Sequence, residues 1–246
     1  MDYSATAYIC IFLAAILIGF SKTSVGGLVI LAVPLVAIGF PGKQSTGIIL
    51  PLMVFADLLA VLYYRRDCDW RVILKFFPLT AAGVGIGYLI LDAIPNKVFD
   101  LVLGVTIIVM LLTGMVVERV KLGQIAQWSY TIVVGLLVGV ATMLANAAGP
   151  LLGIYFLQLG MDKKGFIGTR SWYFLLLNAF KLPFSASIGL ITADSLILNV
   201  MCIPLALLGG YIGYRLIGIL NENIFKRCIQ GAALIAAAQL IYSGIR

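Results

Sequence analysis

Two interruptions in matching places break the apolar run that opens each half of this chain. The first covers Ile18, Gly19, Phe20, Ser21, Lys22, Thr23, Ser24, Val25, Gly26 and Gly27. The second covers Met143, Leu144, Ala145, Asn146, Ala147, Ala148, Gly149 and Pro150. Both sit in a chain that is 62% hydrophobic and 11% charged, against an apolar share of about 45–50% in soluble domains. The apolar residues fall in long blocks, so the chain is expected to be an integral membrane protein. In lipid, unwound backbone is tolerated only where protein or a water-filled cavity satisfies its polar groups. Paired breaks in two halves therefore point to a binding site inside the membrane.

The apolar blocks are residues 5–20, 28–40, 45–64, 71–91, 97–117, 128–145, 150–160, 166–190, 195–219 and 223–243. Most approach the roughly 20 residues a crossing helix needs. Blocks 28–40 and 150–160 do not, and they directly follow the two breaks. They have the length of half-helices or re-entrant arms. The first block has no basic segment before it, Asp2 being the only early charge, so it is read as mature structure and not as a signal peptide.

The halves resemble each other. Gly39 matches Gly160, Lys43 matches Lys164 and Asp57 matches Asn178 at one offset. Pro78, Gly83, Gly87 and Tyr88 then match Pro204, Gly209, Gly213 and Tyr214, giving PLxxxGxxxGY twice, and Phe99 matches Phe225. A colinear series of this kind indicates internal duplication. The expected fold is an all-α polytopic membrane protein of two inverted-topology repeats, residues 1–121 and 122–246. Each repeat is a broken or re-entrant helix hairpin plus three transmembrane helices. Gly83/Gly87 and Gly209/Gly213 are GxxxG pairs, read either as ordinary close helix contacts or as a sliding surface between repeats.

Loop charge sets the orientation. The odd-numbered gaps between blocks and their margins carry Lys22, Arg65, Arg66, Arg71, Arg119, Lys121, Lys163, Lys164, Lys226 and Arg227, whereas the even gaps carry Lys43 and Lys97. Odd gaps are then cytoplasmic, and both termini lie outside the cytoplasmic membrane. The second half is inserted upside down relative to the first, so its break can meet the other near the midplane. The +7 net charge is thus a topology signal, not a nucleic-acid face.

Lys22 lies among Ser21, Thr23 and Ser24, just before Gly26 and Gly27. Glycine permits close approach of backbone to a ligand. A helix starting after the glycines aims free N–H groups and a positive dipole end at the break. Ammonium, hydroxyls and helix N-terminus together suit an anion with several acceptor oxygens. The plainer alternative has Lys22 reaching to an interface and the hydroxyls bonding back to their own helix. The second break offers the Asn146 amide and another helix N-terminus, with Pro150 at its first turn; the alternative is a simple kink.

Asp57 is an acidic residue deep in an apolar block. An unpaired carboxylate there is costly, so Asp57 is expected to be protonated or paired, with Lys181 one candidate partner. Its functional reading is the carrier of a coupling proton; its structural reading is a hydrogen bond or an interfacial position. Ser171, Asn178 and Lys181 share one helical stripe and are expected to face the interior. Arg170 carries a planar fork suited to oxyanions, or else anchors the helix at the cytoplasmic surface. Cys10, Cys68, Cys202 and Cys228 are scattered, and the chain has no histidine, so no metal or haem site is expected and no cofactor is assigned. The cysteines read as small packing residues.

These features together resemble the TauE/SafE family of sulfite-exporter-like permeases. The residues that carry the resemblance are Gly19 through Gly27, the helix after Gln44, Ser45 and Thr46 through Pro51 to Asp57, and the repeated PLxxxGxxxGY. The resemblance covers essentially the whole chain. It implies transport of sulfite, sulfonates or related organosulfur anions across the cytoplasmic membrane, usually outward. The second break lacks the basic and double-glycine features of the first.

The expected site then holds a small sulfur anion between the breaks. Lys22, Arg170 and Lys181 supply charge; Ser24, Gly26, Gly27, Asn146, Ser171 and Asn178 line it; Asp57 carries the proton. The partners are the anion and the bilayer. No nucleotide-binding loop is present, so an ion gradient or the substrate's own gradient drives transport. The alternatives are a passive anion channel, a permease for another small organic anion, and an intramembrane enzyme. The last is disfavoured by the lack of histidine, paired acids or a metal motif.

Overall fold

The computed structural model describes residues 3–24, 28–40, 42–64, 67–119, 127–161, 163–216 and 222–245. Among these it is helical throughout, with no strand. The helices are α1 (Ala5–Thr23), α2 (Val29–Gly39), α3 (Gln44–Gly47), α4 (Leu50–Tyr64), α5 (Trp70–Ala93), α6 (Asn96–Arg119), α7 (Gln127–Ala145), α8 (Gly149–Gln158), α9 (Lys163–Ser187), α10 (Ala193–Leu216) and α11 (Glu222–Ile245). Four spans, Ala5–Thr23, Gln44–Tyr64, Trp70–Ala93 and Ala193–Leu216, are long and apolar enough to cross a membrane. Large apolar side chains such as Leu74, Leu89 and Ile235 point outward on these and neighbouring helices, as a lipid-facing surface requires.

Local chemistry sets several helix ends. Ser4 caps α1 by accepting the Ala7 N–H at 3.2 Å, and Asp69 caps α5 through the N–H groups of Arg71 and Val72. At α10 the cap is reciprocal. The Thr192 hydroxyl accepts from the Ser195 N–H, and the Ser195 hydroxyl accepts from the Thr192 N–H. Helix α9 closes through Gly189, whose φ of 74° only glycine adopts freely, with the Leu190 N–H donating to Ser185 C=O.

Small residues set the tertiary packing. A methyl group at Gly209 would sit on the Ile16 carbonyl, and one at Gly213 within 2.6 Å of the Phe20 carbonyl. Helices α1 and α10 therefore touch backbone to backbone and run in the same direction. Helices α5 and α7 do the same, with Gly83 against the Leu136 carbonyl and Gly87 against Met143 and Val140. The GxxxG pairs are thus close-approach surfaces between long helices. Helices α4 and α9 pair in opposite directions, Tyr64 lying near Gly168 and Asp57 near Asn178. Helices α6 and α11 are also opposed, Gly104 facing Ala237 and Gly244 facing Leu101.

The structure moves the breaks relative to the sequence reading. Helix α1 continues through Lys22 to Thr23, and α7 continues to Ala145. Lys22 therefore stands on the last helical turn and not in unwound chain. The turn persists because its end is satisfied: the Thr23 hydroxyl donates to Gly210 C=O at 2.7 Å, and the Tyr64 hydroxyl donates to Thr23 C=O at 3.1 Å. After α7 only Asn146 to Ala148 is non-helical. Asn146 takes a left-handed conformation, φ 51°, which asparagine tolerates better than most residues. The short arms α2 and α8 have 11 and 10 residues.

A third discontinuity, between α3 and α4, was read in sequence as part of one continuous block. Here Asn199 of α10 inserts its amide into the helix. Leu52 N–H donates to Asn199 Oδ1 at 3.0 Å, and Asn199 Nδ2 donates to Ile48 C=O at 2.7 Å. Those are the two groups an unbroken helix would pair with each other. Pro51, which has no N–H, weakens the same turn. Asn199→Ala leaves this bend without its bridge and is expected to cost about 1–3 kcal/mol. Melting in detergent measures this; an unchanged melting temperature would mean that the bend holds itself.

Candidate substrate site

The last turn of α1 delivers Lys22 into the protein interior. Its Nζ lies 2.6 Å from Asp57 Oδ1, and the two side chains are only 4% and 1% exposed. Asp57 of α4 is thus paired with Lys22 of α1, and not directly with Lys181. From the other carboxylate oxygen a chain of contacts runs on: Asn178 Nδ2 donates to Asp57 Oδ2 at 2.6 Å, and Lys181 Nζ donates to Asn178 Oδ1 at 3.3 Å. Lys181 also donates to Thr142 Oγ1 at 3.1 Å and to Asn146 Oδ1 at 2.5 Å. Asn146 Nδ2 completes the chain on Thr46 C=O at 3.0 Å. One buried polar network therefore joins the two interrupted regions.

Both breaks also border one cavity of about 20 Å³, lined by Ser21, Lys22, Thr142, Asn146, Arg170 and Phe174. It has room for about one water. The first residues of α2, Val29 and Ile30, and Gly149 at the start of α8 complete the lining. Two half-helix N-termini thus face the same small space, each presenting N–H groups and positive dipole charge. The N-terminus of α2 has no side-chain cap. Lys22 Nζ lies 4.4 Å from the Phe174 ring centroid and the Arg170 guanidinium 5.8 Å from it, so one aromatic ring serves two cations. Ser21 Oγ and Ser24 Oγ are buried with no hydrogen-bond partner among the described residues. Three cationic side chains, Lys22, Arg170 and Lys181, gather around the carboxylate of Asp57. Such a site favours anions.

The candidate residues divide as follows. Lys22, Asn146 and Arg170 line the cavity. Asp57, Asn178 and Lys181 stand behind it in the buried network. Ser24 is buried at the end of α1. Ser171 spends its hydroxyl on Ile167 C=O at 2.8 Å, one turn back in its own helix, and is absent from the cavity lining. Gly26 and Gly27 lie outside the described residues. Thr142 was missed, although it precedes Asn146 by four residues on the same helical face, a spacing that places the two together. Cys10 and Cys202 are buried and free. In the loop before α5, burial pushes the Cys68 thiol up to about 11, which keeps it neutral and unreactive at physiological pH.

A family model, Sulfite exporter TauE/SafE, matches residues 11–240, a span that includes both breaks and the whole buried network. The chain belongs to that family. No curated protein and no solved structure matches it. TauE/SafE proteins form a family of membrane transporters for sulfur anions such as sulfite. As a TauE/SafE member with these apolar helices, the chain is a multi-pass membrane protein.

Proposed function

We propose that this TauE/SafE protein is a secondary transporter that carries a small sulfur oxyanion or sulfonate, in the export direction, through a midplane site by alternating access. The observation that carries this reading is the small cavity at which two half-helix N-termini, Lys22 and Arg170 converge. An anion with three acceptor oxygens matches that set of donors. The small size of the cavity favours a carrier over a passive channel, since a sulfonate group exceeds the room for about one water and must wait for the site to widen.

Alternating access follows from two inverted repeats, residues 1–121 and 122–246, in the cytoplasmic membrane with both termini outside. Support comes from the way the helix pairs are built. A methyl at Gly19 would meet the Ala206 carbonyl, and one at Gly139 would meet the Thr80 carbonyl. The α1/α10 and α5/α7 contacts are thus alike, with the halves exchanging roles, as a two-fold axis in the membrane plane requires. Asp57 is the proposed proton carrier, Ser24, Gly26, Gly27 and Ser171 belong to the wider substrate path, and Asn178 and Lys181 hold the network in place.

The test is flux from proteoliposomes loaded with sulfite, a sulfonate or a carboxylate, with and without a pH gradient. Sulfur anions are expected to move faster than carboxylates and to respond to the gradient. If no sulfur anion either moves or binds, the substrate assignment fails.

A further inference from the structure

Lys22 has two claims on it. It is the cation closest to the Asp57 carboxylate, at 2.6 Å, and it also lines the cavity where the proposed anion sits. One buried ammonium cannot serve two full anions in so small a space. Removing its partner would leave Asp57, at 1% exposure, without the cation in direct contact with it, a costly arrangement that a carboxyl group relieves by binding a proton. We propose that anion binding and protonation of Asp57 are one event: the incoming sulfonate draws Lys22 off Asp57, and Asp57 takes a proton from the aqueous side to which the site is open. This rests on the transport reading above and adds its coupling rule. The anion and the proton travel together, one for one, so that export runs on the anion's own outward gradient.

The surroundings of Asp57 are consistent with this exchange. From α1 the facing charge is Lys22. From α9 come Asn178, in direct contact, and the charges of Arg170 and Lys181. The buried face of α10, from Ser195 to Gly213, carries no charged side chain, and its titratable group is the Cys202 thiol. No other described carboxylate lines the cavity or joins the network to take the proton instead. Asn178 can answer either form of Asp57, since its amide both donates and accepts. A monoanion and a proton added together leave the charge of the site unchanged. The loaded and empty carriers then cross with the same charge, and transport is electroneutral.

The experiment is calorimetry of the purified full chain binding methanesulfonate, an anion that stays fully ionised across the range, in buffers of different ionisation enthalpy from pH 6 to 8. The expected result is uptake of about one proton per anion, with affinity rising about tenfold for each unit fall in pH. Asp57→Asn is expected to bind with no proton uptake and no pH dependence. Binding by the unmodified protein without proton uptake would overturn the proposal while leaving the transport reading intact. Uptake that persists in Asp57→Asn and vanishes in Lys181→Gln would place the proton on Lys181 and would also overturn it. If neither methanesulfonate nor sulfite binds, the transport reading itself fails and the coupling rule falls with it.

Discussion

Replacing Lys22 by Met is expected to weaken sulfur-anion binding by about 10- to 150-fold and to destabilise the fold at the same time. The binding loss follows from a charge-assisted hydrogen bond, worth about 1.5–3 kcal/mol, at about 1.4 kcal/mol per factor of ten. The stability loss has a different origin. Methionine preserves much of the packing over Phe174 but leaves Asp57 buried without its cation. Breaking a buried pair from one side costs about 3–5 kcal/mol. The two effects separate in the double variant. Lys22→Met with Asp57→Asn removes the stranded carboxylate, so the melting temperature should recover most of its loss while anion affinity stays low. Calorimetry and melting in the same detergent read both quantities. An anion affinity in Lys22→Met equal to that of the parent would remove this residue from the site.

Leucine at Gly83 is expected to destabilise the fold by about 3 kcal/mol or more, whereas leucine at Gly85, two residues along the same helix, is expected to be tolerated. A Cβ at Gly83 meets the Leu136 carbonyl and the Gly139 Cα of α7, both backbone atoms that no rotamer change can move aside. At Gly85 nothing lies within 4 Å. Overpacking a well-packed core typically costs about 1–3 kcal/mol, and here a whole helix pair must separate, so the cost should lie at or beyond the top of that range. Gly85→Leu adds lipid-facing apolar surface and raises helix propensity. Monodisperse elution and melting compare the two variants directly. Equal behaviour would show that α5 and α7 do not need backbone contact.

Much of this architecture was legible because proline, glycine and block length act locally. The short arms at residues 28–40 and 150–160 appear as α2 and α8 for that reason, and the stripe of Asn178 and Lys181 on α9 follows from helical spacing. What escaped depended on distant residues. The bend between α3 and α4 needs Asn199, 147 residues beyond Leu52, and Pro51 alone is a weak local signal. The continuation of α1 through Lys22 depends on Tyr64 and Gly210, which capture the hydroxyl and carbonyl of Thr23. Asp57 was recognisable as a residue in need of a partner, but Lys22 was assigned to substrate or to an interface and not to Asp57. The structure gives one cation both neighbours, a fact of three-dimensional placement that no spacing rule contains.

The longest-range consequence concerns biosynthesis. Of the five closest helix partnerships, four, α1 with α10, α5 with α7, α6 with α11 and α4 with α9, join the first half of the chain to the second; the other, α1 with α2, lies within the first. The nascent chain must park its first helices in the bilayer with their glycine grooves unfilled until the ribosome has delivered the last ones. Assembly therefore waits on completion of translation, and a chain cut short near its end would strand its opening segments among lipids.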